Sequence, residues 1–354
     1  MTAPVLIVGG YGVVGFQLAQ IIRNRHPDLP LILAGRTEER ATEAARNLGN
    51  AIGAVVDVTK PGPLANLPTD IGGIVGAVND PSNHLLRAAI ECQIPYVDIT
   101  RWTERLLLAR ELAESLDPKS PVTFASSWMA GVAAMVAKAT ADKTDSVRSI
   151  ETNILFRLAD KAGPNSVEYA DRLTTPFRIW KNGKWQRAKP LTDAKNVEFP
   201  SGDTFSVSRF DEPSQETLAG TLAVDSISSR IGYDDPSATR SLKLLVKSGI
   251  WALISGARFK KLRHSILYHP GEGAAHEIVI NVSGSNSNSK GTILDPQGQT
   301  HLTAVGAYIQ LHETVGLGTS QSRPPGIHFP ENATQIDLAL QIFREEGVTV
   351  SISN

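Results

Sequence analysis

A glycine-rich turn between a short apolar strand and an apolar helix constrains this chain more than any other feature. Val5–Val8 is an apolar run suited to a buried parallel strand. The turn Gly9–Gly15 follows at once, and apolar residues then recur at helical spacing through Phe16–Arg25. A second apolar run, Leu31–Ala34, comes next. A glycine turn in this context predicts a dinucleotide-binding site.

Each glycine of the turn has a physical role in such a site. The first one permits the tight turn, Gly12 lets the backbone approach a pyrophosphate, and Gly15 lets the helix pack closely on the strand. The helix N-terminus adds free N–H groups and partial positive charge. We therefore predict that the cofactor contacts the whole turn, which consists of Gly9, Gly10, Tyr11, Gly12, Val13, Val14 and Gly15.

The residue that follows the second strand indicates which dinucleotide binds. NAD-preferring folds carry an Asp or Glu about 20 residues beyond the turn, to bind the ribose 2′-hydroxyl. This chain has Arg36 near that position, followed by Thr37. Arginine is always charged and bonds two phosphate oxygens at once, which suits the 2′-phosphate of NADP. We predict NADP(H); the alternative is that Arg36 is a solvated surface charge.

The composition excludes several classes of function. With 354 residues, 41% hydrophobic and 20% charged, the chain is long enough for two globular domains. A net charge of −1 gives no electrostatic reason to expect nucleic acid. The eight histidines show no metal-ligand spacing, so we expect no metal site. Cys92 is expected to be a small buried residue.

Localisation follows from two further features of the sequence. The first strand begins at Val5, which leaves no room for a signal peptide. No apolar run reaches the roughly 18 residues of a membrane-spanning helix. We therefore expect a cytoplasmic protein.

The order of predicted elements divides the chain. Strands and helices alternate through the first 125 residues, which predicts an α/β fold with a Rossmann-like, doubly wound parallel sheet. The predicted strands include Ala54–Val58, Gly73–Val78, Tyr96–Ile99 and Val122–Ala125. Beyond residue 148 the pattern changes to antiparallel strands. Ile179–Trp185 predicts a hairpin with an Asn-Gly turn, and Glu277–Ser283 predicts a strand paired across the polar tract 285–289. A second, α+β domain is therefore expected.

Four segments resemble the saccharopine dehydrogenase (reductase-like) family of oxidoreductases. They are the turn Gly9–Gly15, the strand end Ala34–Arg36, the segment Leu86–Ile90 with Tyr96–Ile99, and Pro325–Glu331. The resemblance covers most of the first 125 residues and the tail. The chain departs from the family where Ala130-Gly131 replaces Pro-Gly after the sixth strand.

The resemblance also implies a domain organisation. It predicts a Rossmann-like dinucleotide-binding domain at 1–125, an α+β domain for substrate binding and dimer contact at 126–320, and a C-terminal segment at 321–354 that returns to the first domain. The returning segment includes a helix from Gln335 to Glu345.

The resemblance implies an NADP-dependent oxidoreductase, a reductase or dehydrogenase that acts on an imine or another polarised double bond. Two alternatives stay open: a regulatory protein that binds NADP(H) without turnover, and a reductase of a lipid-like substrate at a membrane surface. The second alternative rests on the basic amphipathic segment Leu242–Arg263. No tyrosine is followed by a lysine four residues on, which argues against the short-chain dehydrogenases. The expected partner is a small-molecule substrate, with no nucleic acid and no membrane, and a homodimer stays open.

Ligands of open α/β sheets bind at the carboxyl ends of the strands, which places three further cofactor residues. Asp57 and Val58 close the third predicted strand and are expected to flank the adenine. Asn79 closes the fourth and is expected beside the ribose–nicotinamide half. The alternative for Asp57 and Asn79 is simple turn chemistry.

Three residues are predicted to face the substrate and carry the catalytic roles. Asp98 would hold a cation, Arg101 a substrate carboxylate, and Trp128 would form an apolar wall. The alternatives are a structural ion pair between Asp98 and Arg101, and a core position for Trp128.

Overall fold

The computed structural model describes residues 3–160, 172–253, 259, 271, 273–318 and 321–354. The chain divides into two compact units. The first unit comprises Met1–Val132 and Thr303–Gln335, and the second comprises Ala133–Leu302 and Ile336–Asn354. The first unit is therefore not continuous in sequence.

Strands and helices alternate in the first third of the chain, except that β4 follows β3 with no helix between them. The strands are β1 (Val5–Val8), β2 (Leu31–Gly35), β3 (Ala51–Val55), β4 (Gly73–Gly76), β5 (Tyr96–Asp98), β6 (Pro121–Phe124), β7 (Val147–Phe156), β8 (Phe177–Lys181), β9 (Lys184–Ala188), β10 (Lys195–Glu198), β11 (Thr204–Arg209), β12 (Ser226–Tyr233), β13 (His276–Gly284), β14 (Asn288–Asp295), β15 (Gly326–His328) and β16 (Thr349–Ser353). The α-helices are α1 (Val13–Arg25), α2 (Glu38–Leu48), α3 (His84–Glu91), α4 (Thr103–Leu116), α5 (Val132–Ala141), α6 (Ser214–Thr221), α7 (Pro236–Lys247), α8 (Ile250–Leu253), α9 (Gln299–Val315) and α10 (Ile336–Glu345). A short 3₁₀ turn covers Pro330–Asn332.

The first unit contains a parallel sheet in the order β15-β6-β5-β4-β1-β2-β3. All its strand pairs are parallel, and β1 lies between β2 and β4. Strands β1, β2, β4 and β6 are buried along their whole length, as expected when helices cover both faces of a sheet. The predicted Rossmann-like, doubly wound α/β fold is confirmed, and the chain order reverses direction at β1, where such folds bind ligands.

The second unit is built on a mixed sheet whose main path runs β10-β11-β12-β7-β13-β14-β16. Its described pairs are antiparallel except for β12 with β7. The predicted hairpin is present as β8–β9. Asn182 and Gly183 both have positive φ, as the tight turn requires, and the Trp180 and Trp185 rings meet edge to face at 5.2 Å. The predicted α+β character of this part of the chain is confirmed.

The C-terminal segment divides between the two units, which differs from the prediction. Gly326–His328 pairs with β6 of the first sheet, but the helix Ile336–Glu345 and the strand Thr349–Ser353 belong to the second unit. Strand β16 pairs with β14, whose outer backbone groups would otherwise form an open edge. The predicted return of the segment 321–354 to the first domain is therefore wrong from Ile336 onwards.

Three smaller predictions also need correction or a narrower statement. The third strand covers Ala51–Val55 rather than Ala54–Val58, because the chain turns at Asp57. Cys92 is exposed rather than buried. In the Leu242–Arg263 segment, α7 and α8 are separated by Gly249, which has φ +81°, and residues 254–258 and 260–263 lie outside the described residues. Across the described helices, none has the length and apolarity needed to cross a membrane.

Candidate functional site

The turn after β1 is held in place by the two neighbouring strands. The N–H groups of Gly9 and Gly10 donate to the carbonyl oxygen of Ala34, at 2.7 and 3.1 Å. Gly9 has φ +93°, and a Cβ there would lie 2.7 Å from a methyl group of Val78 and 3.0 Å from the Ala77 carbonyl oxygen. Only glycine combines this backbone conformation with this close approach. The turn is thus fixed between the ends of β2 and β4.

Gly12 and Gly15 have different surroundings, although both belong to the predicted fingerprint. A Cβ on Gly15 would lie 2.2 Å from the carbonyl oxygen of Gly9, so this glycine serves internal packing. A Cβ on Gly12 would approach only that same oxygen, at 3.1 Å, and would otherwise point into open space. Gly12 therefore leaves room for an outside group at the backbone.

The N-terminus of α1 is suited to bind an anion. The helix begins at Val13 after Gly12, has no acidic residue in its first turn, and has no side-chain hydrogen bond at its cap. The first N–H groups of a helix have no partner within it, and the helix dipole adds partial positive charge. Together with the open space at Gly12, these features fit the pyrophosphate of a dinucleotide.

Two exposed arginines follow β2, Arg36 directly after the strand and Arg40 on α2, where it lies against an aromatic ring. Tyr11 lies against Gly35, where a Cβ would come within 2.4 Å of the ring. Its hydroxyl accepts a hydrogen bond from the Thr37 N–H at 3.2 Å, and the Arg40 guanidinium lies 4.6 Å from the ring centroid. Arg36 is exposed and makes no hydrogen bond or ion pair with any described residue. Neither Arg36 nor Arg40 forms an ion pair with another described side chain at this edge.

Asp57 and Val58 occupy a turn rather than a strand end. The Asp57 carboxylate accepts hydrogen bonds from the side chain and the backbone N–H of Thr59, at 2.7 and 3.1 Å. These bonds lower the pKa of Asp57, and Lys60 at 3.6 Å acts in the same direction. Val58 is buried in the core. These contacts are those of an aspartate that stabilises a turn through its side chain, which is the alternative given above for Asp57.

Asn79 lies half-buried after β4, where several contacts connect the loops of neighbouring strands. Its side-chain oxygen accepts a hydrogen bond from Arg105 at 2.8 Å, and Arg105 also stacks on Trp102 at 3.8 Å from the ring centroid. The Thr100 hydroxyl donates to the Val78 carbonyl oxygen at 3.0 Å. The loops after β4 and β5 are therefore connected at the carboxyl edge of the sheet.

Asp98 and Arg101 form a buried ion pair with exposures of 1% and 2%. The Arg101 Nε donates to the Asp98 carboxylate at 2.7 Å. That carboxylate also accepts hydrogen bonds from the Tyr96 hydroxyl at 2.9 Å, the Thr100 N–H at 3.1 Å and the Ser126 hydroxyl at 3.2 Å. Burial, and then the Asp98 charge, raise the pKa of Tyr96 well above its ordinary value. The structure thus brings Asp98 and Arg101 together as a buried ion pair, which is the structural alternative given for them above.

Arg101 extends this network to the start of α3. It donates to the Asn83 side chain at 2.5 Å and lies 3.6 Å from the Asp80 carboxylate. Asp80 in turn accepts the N–H groups of the first turn of α3, at His84, Leu85 and Leu86. The carboxylate of Asp80 therefore caps this helix, while Asn83, which directly precedes it, makes no side-chain cap hydrogen bond.

Trp128 is buried, at 9% exposure, in a loop with unusual backbone conformation. Three consecutive residues after it, Met129, Ala130 and Gly131, have φ of +55°, +50° and +92°. Proline has φ fixed near −65°, so it would not fit at Ala130 in this loop. The replacement of the family's proline by Ala130 therefore agrees with the positive φ of this position, which a proline could not adopt. A Cβ on Gly131 would lie 2.4 Å from Pro330, which shows how closely the loop is packed.

Residues that the sequence did not single out also contribute to this edge. They are the side chain of Arg105 and the carboxylate of Asp80. The ring of Tyr11, a residue that the sequence did predict, also supports Arg40. An aspartate just before Pro-Ser-Asn was a readable helix-start signal for Asp80. The sequence contained no signal for the stacking contact between Tyr11 and Arg40, because it joins residues far apart in the chain.

Within the described residues, no group of three or more His, Cys, Asp or Glu is placed to hold a metal ion.

Comparisons with known proteins agree with this architecture. No protein-family model and no curated protein sequence matches the chain. Among solved structures, apo saccharopine dehydrogenase (L-Glu forming) from Saccharomyces cerevisiae aligns over 99% of both chains, with 13% identity and a TM-score of 0.70. The resemblance to saccharopine dehydrogenase is therefore confirmed at the level of the fold.

Two further solved structures align with lower TM-scores. A myo-inositol dehydrogenase from Corynebacterium glutamicum aligns over 100% of this chain and 99% of its own, with 13% identity and a TM-score of 0.44. A protein of gentamicin A biosynthesis in complex with NAD aligns over 99% of this chain and 96% of its own, with 11% identity and a TM-score of 0.44.

Proposed function

We propose that this protein is an NADP(H)-dependent oxidoreductase whose first unit binds the dinucleotide along the carboxyl edge of the parallel sheet. The observation that carries the proposal is the N-terminus of α1. It combines an open backbone at Gly12, free N–H groups and no acidic residue in the first turn. The likeness in fold to saccharopine dehydrogenase supports the same class of reaction.

The turn after β1 would hold the pyrophosphate, and the end of β2 would hold the adenosine half. Arg36 and Arg40 are exposed there, and Tyr11 keeps Arg40 at the same edge by stacking. Two guanidinium groups suit the doubly charged 2′-phosphate of NADP. Glu38 and Glu39 follow in the first turn of α2, where acidic side chains stabilise a helix, and they do not stand directly at the strand end.

The reaction that we propose is the reduction of an imine or another polarised double bond. The nicotinamide supplies or accepts the hydride when the cofactor is bound, and the protein orients the reacting groups. Asn79, fixed by Arg105, would lie beside the nicotinamide half. Trp128 would contribute apolar surface near the end of β6.

Asp98 and Arg101 are assigned here as positioning residues. Both are buried and bonded to each other, and through Thr100, Asn83 and Asp80 they determine where the loops after β4 and β5 lie. Their effect on catalysis would pass through those loops. Removing either one should change turnover only together with the stability of the first unit.

The proposal can be tested with cofactor titrations and a turnover assay. NADPH should bind more tightly than NADH, and NADPH should be consumed when amines and keto acids that form imines are added in pairs. Equal affinity for the two cofactors would contradict the assignment of Arg36. Tight NADPH binding without turnover on any pair would favour the regulatory alternative.

A further inference from the structure

A cavity in the second unit combines three cationic side chains with apolar walls. Its volume is about 140 Å³, and it opens between strands β7, β8, β11 and β12. Arg209, Arg230 and Lys181 line it from the polar side, and Ile179 and Trp180 line it from the apolar side. The dinucleotide assignment uses none of these residues.

The register of the sheet brings two arginines together at this cavity. Arg209 of β11 lies directly opposite Arg230 of β12 in an antiparallel pair, so the two side chains lie on the same face. Like charges directly opposite each other destabilise a sheet unless anions lie between or beside them. Burial, and next the charge of Arg230, lower the pKa of Arg209, although an arginine keeps its charge at neutral pH.

The neighbouring carboxylates neutralise only part of this charge. Asp193 contacts Arg209 at 2.6 Å and Arg230 at 2.7 Å. Glu151 contacts Arg230 at 2.9 Å and also pairs with Lys195. Lys181 adds a further positive charge on the cavity wall. In this group of described residues, four cations face two carboxylates.

One nitrogen of this cluster has unused hydrogen-bonding capacity. The Nη1 atom of Arg209 is buried and has no hydrogen-bond partner among the described residues. All five N–H groups of a guanidinium are donors, and a buried donor without an acceptor is costly. Arg230, by contrast, uses its nitrogens on Asp193, Glu151 and the Ser228 hydroxyl. Arg209 is therefore the residue with a free position for an acceptor.

We propose that this cavity binds the carboxylate of a small organic acid, with Arg209 as the main hydrogen-bond donor. The excess positive charge and the unused Nη1 donor call for an oxyanion. The apolar side of the cavity favours an anion with a hydrocarbon stem over inorganic phosphate. The site lies wholly within the second unit and does not depend on the proposed oxidoreductase activity.

Calorimetric titration of the full chain tests this assignment. The probes are butyrate, which has a carboxylate and an apolar stem, butylamine, which carries a similar stem on a cationic ammonium group, and inorganic phosphate. We expect butyrate to bind in the millimolar range or tighter, butylamine not to bind, and phosphate to bind more weakly than butyrate. Absence of butyrate binding, equal binding of butylamine, or tighter binding of phosphate would each overturn the proposal.

Variants then locate the binding. Arg209→Gln should weaken butyrate binding by about tenfold, the scale of one charge-assisted hydrogen bond. Arg240→Gln is the control, because Arg240 is an exposed arginine on α7 of the same unit. Lys181→Gln removes an exposed cavity charge and should fold even if the Arg209 variant does not, and it should weaken binding by a smaller factor. Butyrate affinity unchanged in both the Lys181 variant and a folded Arg209 variant would overturn the site.

Discussion

Two arginines that stand just beyond strand ends of the same parallel sheet have opposite surroundings. Arg36, after β2, is exposed and has no hydrogen-bond or ion-pair partner among the described residues. Arg101, after β5, is 2% exposed and bonds to Asp98, Asn83 and Asp80. The first is available to a ligand, and the second holds the protein together. A charged residue at the carboxyl edge therefore indicates a binding role only when its charge is not already used internally.

The largest expected effect concerns the buried arginine. Arg101→Ala should lower the free energy of unfolding by about 3–5 kcal/mol, because it leaves the buried carboxylates of Asp98 and Asp80 without their cation. Urea denaturation measures this directly. Arg36→Ala is the matched control and should stay within about 0.5 kcal/mol of the wild type. An unfolding midpoint of Arg101→Ala equal to the wild type would remove the contrast between the two arginines.

The same contrast applies to two glycines of the turn after β1. Gly12→Val should fold normally and lose NADPH affinity by about 100-fold or more, because the added side chain occupies the space that the pyrophosphate needs. Gly15→Val should instead destabilise the first unit by about 1–3 kcal/mol through overpacking against Gly9. Circular dichroism, thermal unfolding and cofactor titration separate the two results. A folded Gly12 variant with wild-type affinity would show that the turn has no ligand role.

The exposed arginine should affect cofactor choice. Arg36→Asp should weaken NADPH binding by about tenfold or more, the scale of a charge-assisted contact, and should improve NADH binding relative to NADPH. Arg46→Asp makes the same charge change at an exposed position of α2 and should leave the preference unchanged. If both variants shift the preference equally, long-range charge rather than a contact at Arg36 sets it.

The smallest expected effect comes from pH, which does not titrate either arginine near neutrality. Burial is the main cause that lowers the pKa of His26 and of His312, and their rings lie 6.4 Å apart in the first unit. Unfolded histidines take up protons near their ordinary pKa of about 6.5, and these two do so only at lower pH when folded. Their stabilisation is thus fully present above that value and is lost as the pH falls through the folded pKa values.

Unfolding free energies measured between about pH 7.5 and about pH 5 should therefore decrease with acidification, and His312→Gln should reduce the slope. A slope that is identical in the variant would mean that these histidines do not contribute. The cofactor preference should not follow this titration, because neither histidine belongs to the nucleotide site.

The first part of the fold could be predicted from sequence because its signals are local. The glycine turn, the buried apolar strands and the Asn-Gly hairpin each depend on residues close together along the chain. Local signals did not predict which of the two units the C-terminal helix and strand join. Strand β16 alternates polar and apolar residues, which indicates a strand but not its partner, and its position is decided by the open edge of β14, some sixty residues earlier in the chain.

By itself, the sequence determined the parallel fold of the first part, the glycine turn and the positive charge that follows β2. Only the tertiary structure decided which charged side chains remain available. Asp98 and Arg101 pair with each other because β5 and the start of α3 bring them and Asn83 within hydrogen-bond distance, while the buried Nη2 atom of Arg101 has only a 3.6 Å ionic contact with Asp80. Arg36 has no such neighbour among the described residues, and Arg209 keeps one buried donor without an acceptor. The physical reason is that burial and pairing depend on contacts between distant segments, which residue type and spacing do not specify.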